Sequence, residues 1–177
     1  MVTTKSVAVF IDGLNVRHRL WELNWPDFYD VGKMATALAG PRKLVDACFY
    51  HPAPVRQHLG SKKYSIERAY LDKVAKDVCV SVERGGYMVK HSGVWVEKQT
   101  DVCLASDLVY MAAMKEMDIA ILVSADADLV PAIKRCQELG VPVELVRFRG
   151  AKPKLYELEA TASMLRRAKR DFFRPYT

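Results

Sequence analysis

Residues 6–15 read SVAVFIDGLN, a short apolar run that ends at Asp12. Residues 119–128 read IAILVSADAD, and this second apolar run ends in the same way, at Asp126 and Asp128. Short apolar runs with β-branched members are typical of strands that are buried on both faces. Residues 44–50, 78–82 and 141–146 share this character and predict three more strands.

Helical patterns alternate with these strands. Apolar spacing, capping residues and glycine stops predict helices after Gly13 and at residues 30–39, 63–76, 100–117 and 128–139. Residues 87–98 predict a small hairpin, and residues 51–61, which contain two prolines and a glycine, predict a loop. Near the C-terminus, residues 154–160 and 164–170 predict helices. The alternation predicts an α/β fold with a mostly parallel sheet covered on both faces.

Composition limits the class of protein. The chain has 177 residues, 50% of them hydrophobic, and a net charge of +6, which excludes a wholly disordered chain and favours polyanionic partners. No apolar run reaches the roughly 18 residues of a membrane span. The four cysteines are widely spaced among apolar neighbours, which predicts reduced, buried thiols and a cytoplasmic protein. The oligomeric state stays open, with a homo-oligomer possible.

The acidic residues after the strands predict a metal site. Ligands in open parallel sheets lie beyond the carboxyl ends of strands, where the strand order reverses, so Asp12 and Asp126 converge if their strands are neighbours. Asp101 opens a helix near that edge, whereas Asp107 could reach it only from the flank. Clustered carboxylates need a cation, and oxygen ligands select Mg²⁺ or Mn²⁺. The structural alternative is that Asp12 forms a turn and Asp128 caps a helix.

Polar and basic residues surround this cluster in the sequence. Asn15 offers an amide to a phosphate oxygen or a water molecule. Lys98, three residues before Asp101, could neutralise a phosphate or form a surface ion pair. We expect at least one of Arg17, His18 and Arg19 to face the site and bind a phosphate, the alternative being a solvated helix face.

Three segments together resemble a known family. FIDGLN (residues 10–15), KQTDVCLASD (98–107) and ILVSADADLVPAIKRCQELGVPVEL (121–145) resemble the three motifs of the NYN domain, in the LabA-like branch of the PIN-like nuclease superfamily. The resemblance implies a Rossmann-like, PIN-type three-layer sandwich and a Mg²⁺- or Mn²⁺-dependent ribonuclease. It assigns metal-ligand roles to Asp12, Asp101 and Asp126, and catalytic supporting roles to three further residues, Asn15, Asp128 and Asp107.

The chain departs from the family pattern at two places. Gln99 stands where the family usually has glycine. Residues 124–129 read SADADL instead of SGDSDF, so Ser124 keeps a hydroxyl that we expect to contact substrate, whereas Ala127 has lost one.

The combined pattern predicts hydrolysis of RNA phosphodiesters, with single-stranded RNA as the partner. The resemblance implies products with 5′-phosphate and 3′-hydroxyl ends. We assign residues 1–147 to the nuclease domain and residues 148–177 to a basic, helical C-terminal extension that could follow a nucleic-acid backbone. A non-catalytic RNA-binding or regulatory module is one alternative. A phosphatase for small phosphate esters is another, since Asp12-Gly13 resembles the start of the haloacid-dehalogenase phosphatase motif, although Leu14 stands where that family has a second aspartate.

Overall fold

Apolar strands and helices alternate along the chain as the sequence pattern predicts. In this computed structural model, the described residues are 4–83, 86–148 and 156–176. Their strands are β1 (Ser6–Asp12), β2 (Lys43–Tyr50), β3 (Val80–Glu83), β4 (Tyr87–His91), β5 (Val94–Lys98), β6 (Ile119–Val123), β7 (Val143–Arg147) and β8 (Met164–Arg167). Their α-helices are α1 (Gly13–Glu22), α2 (Val31–Ala39), α3 (Arg56–Val74), α4 (Thr100–Ala113), α5 (Val130–Glu138) and α6 (Tyr156–Thr161).

Six of these strands form the central sheet. Their order is β3-β2-β1-β6-β7-β8, and every neighbouring pair is parallel. From β1 the chain continues to β2 and β3 on one side of the sheet, and from β6 it continues to β7 and β8 on the other side. The strand order therefore reverses between β1 and β6. The carboxyl ends of these two strands therefore flank the crevice in which α/β proteins bind ligands. Strands β4 and β5 pair as a separate antiparallel hairpin.

The sheet has an apolar core on each face. Along β1, Val7, Val9 and Ile11 pack against residues of α1, α2 and α3. The alternate residues Ala8 and Phe10 pack on the other side, against α4, α5 and α6. Because successive side chains of a strand point to opposite faces, one continuous apolar run serves both cores. This arrangement confirms the predicted three-layer α/β fold.

Gly13 is required by close packing. We predicted a helix after Gly13, and Gly13 is the first residue of this helix, α1. A β-carbon there would lie 2.7 Å from the carbonyl oxygen of Tyr50 and 2.9 Å from the ring of Phe49. Only glycine lets α1 begin this close to the end of β2.

Two predicted segments differ from the structure. Helix α3 begins at Arg56, inside the stretch that we predicted as a loop, and bends at Gly60, which has a φ of 74°. The helix predicted at residues 164–170 is wrong, because β8 forms there and pairs with β7. Helix α6 confirms part of the helix predicted at residues 154–160; residues 149–155 lie outside the described part of the chain. Strand β8 forms because it pairs with β7, and the local sequence pattern, which favours a helix, does not predict a contact between such distant segments.

Two remaining expectations concern the burial of the cysteine thiols and the absence of a membrane span. All four cysteines are free; Cys48 and Cys136 are buried, Cys103 is half-buried, and Cys79 is exposed. The prediction of a buried thiol is therefore wrong for Cys79, which precedes the edge strand β3. Within the described ranges, no helix has the length and apolar character needed to cross a bilayer.

Candidate active site

Three aspartates from distant parts of the chain meet at the crevice between β1 and β6. Asp12 is the last residue of β1, Asp101 lies in the first turn of α4, and Asp126 follows β6. One carboxylate oxygen from each lies within 4.8 Å of the other two. The expectation that parallel strand ends bring Asp12 and Asp126 together is confirmed, and Asp101 joins them as predicted.

Asp12 is the buried member of this carboxylate cluster, with 3% of its surface exposed. Its Oδ1 accepts a hydrogen bond of 3.1 Å from the Asn15 backbone N–H, so it also caps α1. Burial raises the pKa of Asp12 to about 7, the nearby Asp101 contributes, and the hydrogen bonds from Asn15 and Ser124 oppose the rise. An ionised Asp12 is therefore costly here unless positive charge neutralises it.

Ser124 and Asn15 connect the two sides of the crevice. The buried Ser124 hydroxyl donates to Asp12 Oδ2 at 3.0 Å and accepts from the Asp126 backbone N–H at 3.1 Å. The side-chain oxygen of Asn15 accepts from the Ala125 N–H at 2.9 Å. We predicted Ser124 as a substrate contact, but its hydroxyl is engaged within the protein because it holds the two aspartates in register.

Asp128 and Asp101 shape the exposed side of the cluster. The backbone N–H of Asp128 donates to Asp126 Oδ1 at 2.9 Å, which fixes the Asp126 carboxylate at the start of a 3₁₀ turn. The Asp128 side chain is exposed. Burial raises the pKa of Asp101, and repulsion from Asp126 and Asp128 adds to this rise. The carboxylates therefore repel one another, which favours a cation between them.

Glu97 is a fourth carboxylate that our reading of the sequence missed. It lies on β5, faces the same cavity as the aspartates, and has a buried Oε1 that forms no hydrogen bond with a described residue. Burial raises the pKa of Glu97, and Asp101 and Asp126 raise it further. The available signal was that Glu97 is the only acidic residue in the predicted hairpin.

The cluster opens into a cavity of about 460 Å³. Helix α1 supplies one wall, with Leu14, Asn15, His18, Arg19 and Glu22. His18 and Arg19 confirm the expectation that at least one basic residue of this helix faces the site. Arg19 also forms an ion pair with Glu22.

Arg17, which we predicted to bind substrate, lies on another face of α1. It is buried, forms an ion pair with Glu67, and its guanidinium lies 4.7 Å from the centre of the Phe28 ring. Residues two apart on a helix point in different directions, so Arg17 and Arg19 cannot both face the cavity. The structure therefore gives Arg17 a role in the core.

Lys98 and Asp107 also lie outside the cavity lining. Lys98 follows Glu97 on β5 and is exposed. Because adjacent residues of a strand point to opposite faces, Glu97 faces the cavity and Lys98 does not. Asp107 lies along α4 and accepts a hydrogen bond of 3.0 Å from the Tyr50 hydroxyl. It is thus a partner of Tyr50 and not a member of the cluster.

Comparisons with known proteins agree with this fold. The family model of the NYN domain matches residues 6–174. No curated protein gives a significant match. Among solved structures, a protein of unknown function from Vibrio parahaemolyticus is similar, with a TM-score of 0.75, 18% sequence identity and 98% of each chain covered. At this identity the similarity concerns the fold alone.

Proposed function

Because this chain belongs to the NYN domain family of PIN-like nucleases, we propose that it is a ribonuclease that uses Mg²⁺ or Mn²⁺. The substrate we propose is single-stranded RNA. The observation that carries the proposal is the carboxylate cluster of Asp12, Asp101 and Asp126 at the carboxyl edge of the sheet. The free cysteines support the cytoplasmic location that we propose with this function.

The residues of the cluster fit a divalent cation. All the groups are carboxylates, which are the hard oxygen ligands that Mg²⁺ and Mn²⁺ prefer. The raised pKa values of Asp12 and Asp101 reflect burial and repulsion between carboxylates, and a bound cation would offset the cost of ionising them. The buried Oε1 of Glu97 has no partner within the described protein and could accept a hydrogen bond from a metal ligand.

In this proposal each residue has a separate role. Asp12, Asp101 and Asp126 would hold the cation, which when bound supplies a Lewis acid for the phosphate and the attacking water. Asn15 and Asp128 position the loop after β6 through hydrogen bonds to Ala125 N–H and Asp126 Oδ1. Arg19, at the cavity wall, attracts a phosphate of the incoming strand.

The test is cleavage of end-labelled single-stranded RNA by the purified protein with Mn²⁺. We expect Asp126→Asn to reduce the rate by about a hundredfold or more, because it removes a carboxylate from the cluster. Asp107→Asn is the matched control, since Asp107 lies outside the cavity and its amide oxygen can still accept from Tyr50. Equal rates for the parent protein and Asp126→Asn would refute the proposed mechanism.

The altered loop at residues 124–129 also supports a second candidate, a non-catalytic RNA-binding module. Ala127 has no hydroxyl to offer, and the one at Ser124 is engaged with Asp12 and Asp126. Salt-sensitive RNA binding with no cleavage in Mg²⁺ or Mn²⁺ would favour this candidate.

A further inference from the structure

A second cleft lies at the C-terminal side of the sheet. Trp25, Arg167, Ala168, Lys169 and Arg170 line it, and its volume is about 300 Å³. We call it the basic cleft. Ala168 is buried at its base, whereas the side chains of Arg167, Lys169 and Arg170 are exposed. The basic cleft therefore concentrates three positive charges beside one aromatic ring.

These three cations differ from the arginines around them. Arg166 forms an ion pair with Glu144, Arg147 with Glu159, and Arg174 lies 3.9 Å from Asp171. In contrast, no carboxylate of the described residues lies within ion-pair distance of Arg167, Lys169 or Arg170. The charges lining the cleft are thus uncompensated by the described residues and available to an anionic ligand.

The topology places the basic cleft on the same edge of the sheet as the carboxylate cluster. Strand β8 is parallel to β7 and ends at Arg167, so residues 167–170 lie at the carboxyl edge, where β1 ends at Asp12. Strand β8 is three positions from β1 in the sheet order. With strands about 4.8 Å apart, the two sites are separated by about 15 Å along this edge.

Helix α1 and the turn after it connect the two sites. Arg19 and Glu22 line the catalytic cavity, and Trp25, three residues after Glu22, lines the basic cleft. The Trp25 N–H donates to the Leu20 carbonyl, and its ring packs against Phe173 with 5.8 Å between ring centres. This packing fixes the half-buried indole in place at the cleft.

We infer that the basic cleft binds the single-stranded RNA substrate at nucleotides beyond the scissile phosphate. Arg167, Lys169 and Arg170 hold backbone phosphates, and Trp25 offers a ring surface to a base. Cationic grooves with fixed aromatic rings are how proteins bind single strands without reading their sequence. This inference rests on the proposed ribonuclease function, since it describes where the RNA strand runs after it leaves the carboxylate cluster.

The test uses binding of uncleaved RNA. Fluorescently labelled single-stranded RNA is titrated in EDTA with the full chain and with the triple variant Arg167→Gln, Lys169→Gln, Arg170→Gln. We expect the triple variant to bind about tenfold or more weakly, and the slope of log affinity against log salt to fall by about 0.7 for each phosphate that the cleft no longer neutralises.

A charge-matched control separates local binding from net charge. Three exposed lysines lie toward the opposite, amino edge of the sheet: Lys5 precedes β1, Lys43 begins β2, and Lys115 lies between α4 and β6. Changing these three lysines to glutamine removes the same charge, and we expect it to leave RNA binding within about twofold of the parent, since exposed charges farther apart than a Debye length are largely screened. Thermal unfolding of both variants verifies that each is folded.

Two outcomes would overturn the inference: equal decreases of affinity in the two triple variants, or no decrease in either. RNA cleavage with Mn²⁺ distinguishes this failure from that of the proposed function. If the protein cleaves RNA but its RNA affinity does not depend on the basic cleft, only the inference is refuted. Binding through the basic cleft by a protein that cleaves no RNA would support RNA binding at the cleft, but it would refute the nuclease proposal and the path from a scissile phosphate.

Discussion

The Ser124 hydroxyl donates a hydrogen bond of 3.0 Å to the buried carboxylate of Asp12, a residue 112 positions earlier in the chain. The same hydroxyl accepts from the Asp126 N–H, so one small side chain connects two members of the carboxylate cluster. Strands β1 and β6 fix the backbones of this region, and Ser124 fixes how the two carboxylates face each other.

Removing this hydroxyl tests its structural role. We expect Ser124→Ala to lower the free energy of unfolding by about 1–3 kcal/mol, because a buried carboxylate loses a donor. We also expect weaker Mn²⁺ binding, measured by calorimetry beside urea unfolding. Ser65→Ala, which removes an exposed hydroxyl bonded only to the Ser61 carbonyl, should change stability by less than about 0.5 kcal/mol. Equal effects of the two substitutions would contradict a special role for Ser124.

Cation binding should appear as thermal stabilisation. At a Mn²⁺ concentration about one hundred times its Kd, binding adds about 2.7 kcal/mol, which corresponds to a Tm increase of about 5–10 °C for a chain of this size. EDTA should reverse the increase, and Asp126→Asn should abolish it. Asp107→Asn should retain it, because Asp107 interacts with Tyr50 outside the cluster. A Tm that Mn²⁺ leaves unchanged in the parent protein would argue against the metal site.

Arg17 and Arg19 should respond differently to the same substitution. Arg17→Met leaves the buried Glu67 carboxylate without its guanidinium, and we expect a loss of about 3–5 kcal/mol in the free energy of unfolding. Arg19→Met breaks only the pair with Glu22, and we expect a loss below about 1 kcal/mol together with weaker RNA binding. Urea unfolding and RNA titration of both variants measure the contrast. Similar stability losses in the two variants would show that this assignment is mistaken.

Gln99 has a backbone conformation that suits glycine. Its φ is 75°, in the left-handed region, directly before α4. That region costs a non-glycine residue about 1–2 kcal/mol, whereas glycine loses about 0.5–1 kcal/mol of additional chain entropy. We therefore expect Gln99→Gly to raise the free energy of unfolding by up to about 1 kcal/mol. Gln57→Gly, in the ordinary helical backbone of α3, should lower it; a decrease at both positions would refute the strain argument.

The contribution of the contact between β7 and β8 to the free energy of unfolding should depend on pH. Burial alone would raise the pKa of Glu144, but hydrogen bonds from Arg42 and Arg166 outweigh it and hold this pKa below the ordinary 4.5. The ionised carboxylate therefore stabilises the fold at neutral pH, and this contribution disappears as the pH falls below that ordinary value. We expect Arg166→Met to lower stability at neutral pH and to reduce the destabilisation on acidification. Arg135→Met, in an exposed pair with Glu138, should leave the pH dependence of unfolding unchanged.

The sequence alone determined five of the six strands of the sheet and, for β1 and β6 as neighbours, the meeting of Asp12 with Asp126. Apolar runs such as residues 119–123 predict buried strands because their side chains have no favourable position in water. Parallel strands on either side of a reversal in order share one edge, so the residues that follow them must come close. Both arguments depend on local composition and strand direction, which a single sequence contains.

Tertiary structure decided which side chains face the cavity. Arg17 and Arg19 are equivalent in the sequence, and only the packing of α1 on the core places Arg17 beside Glu67 and Arg19 at the cavity. Glu97 of the hairpin lines the same cavity as the cluster, and β8 forms because β7 offers an edge with Glu144 on it. These outcomes arise from interactions between segments far apart in the chain, whose free energies exceed the weak local preferences that sequence patterns record.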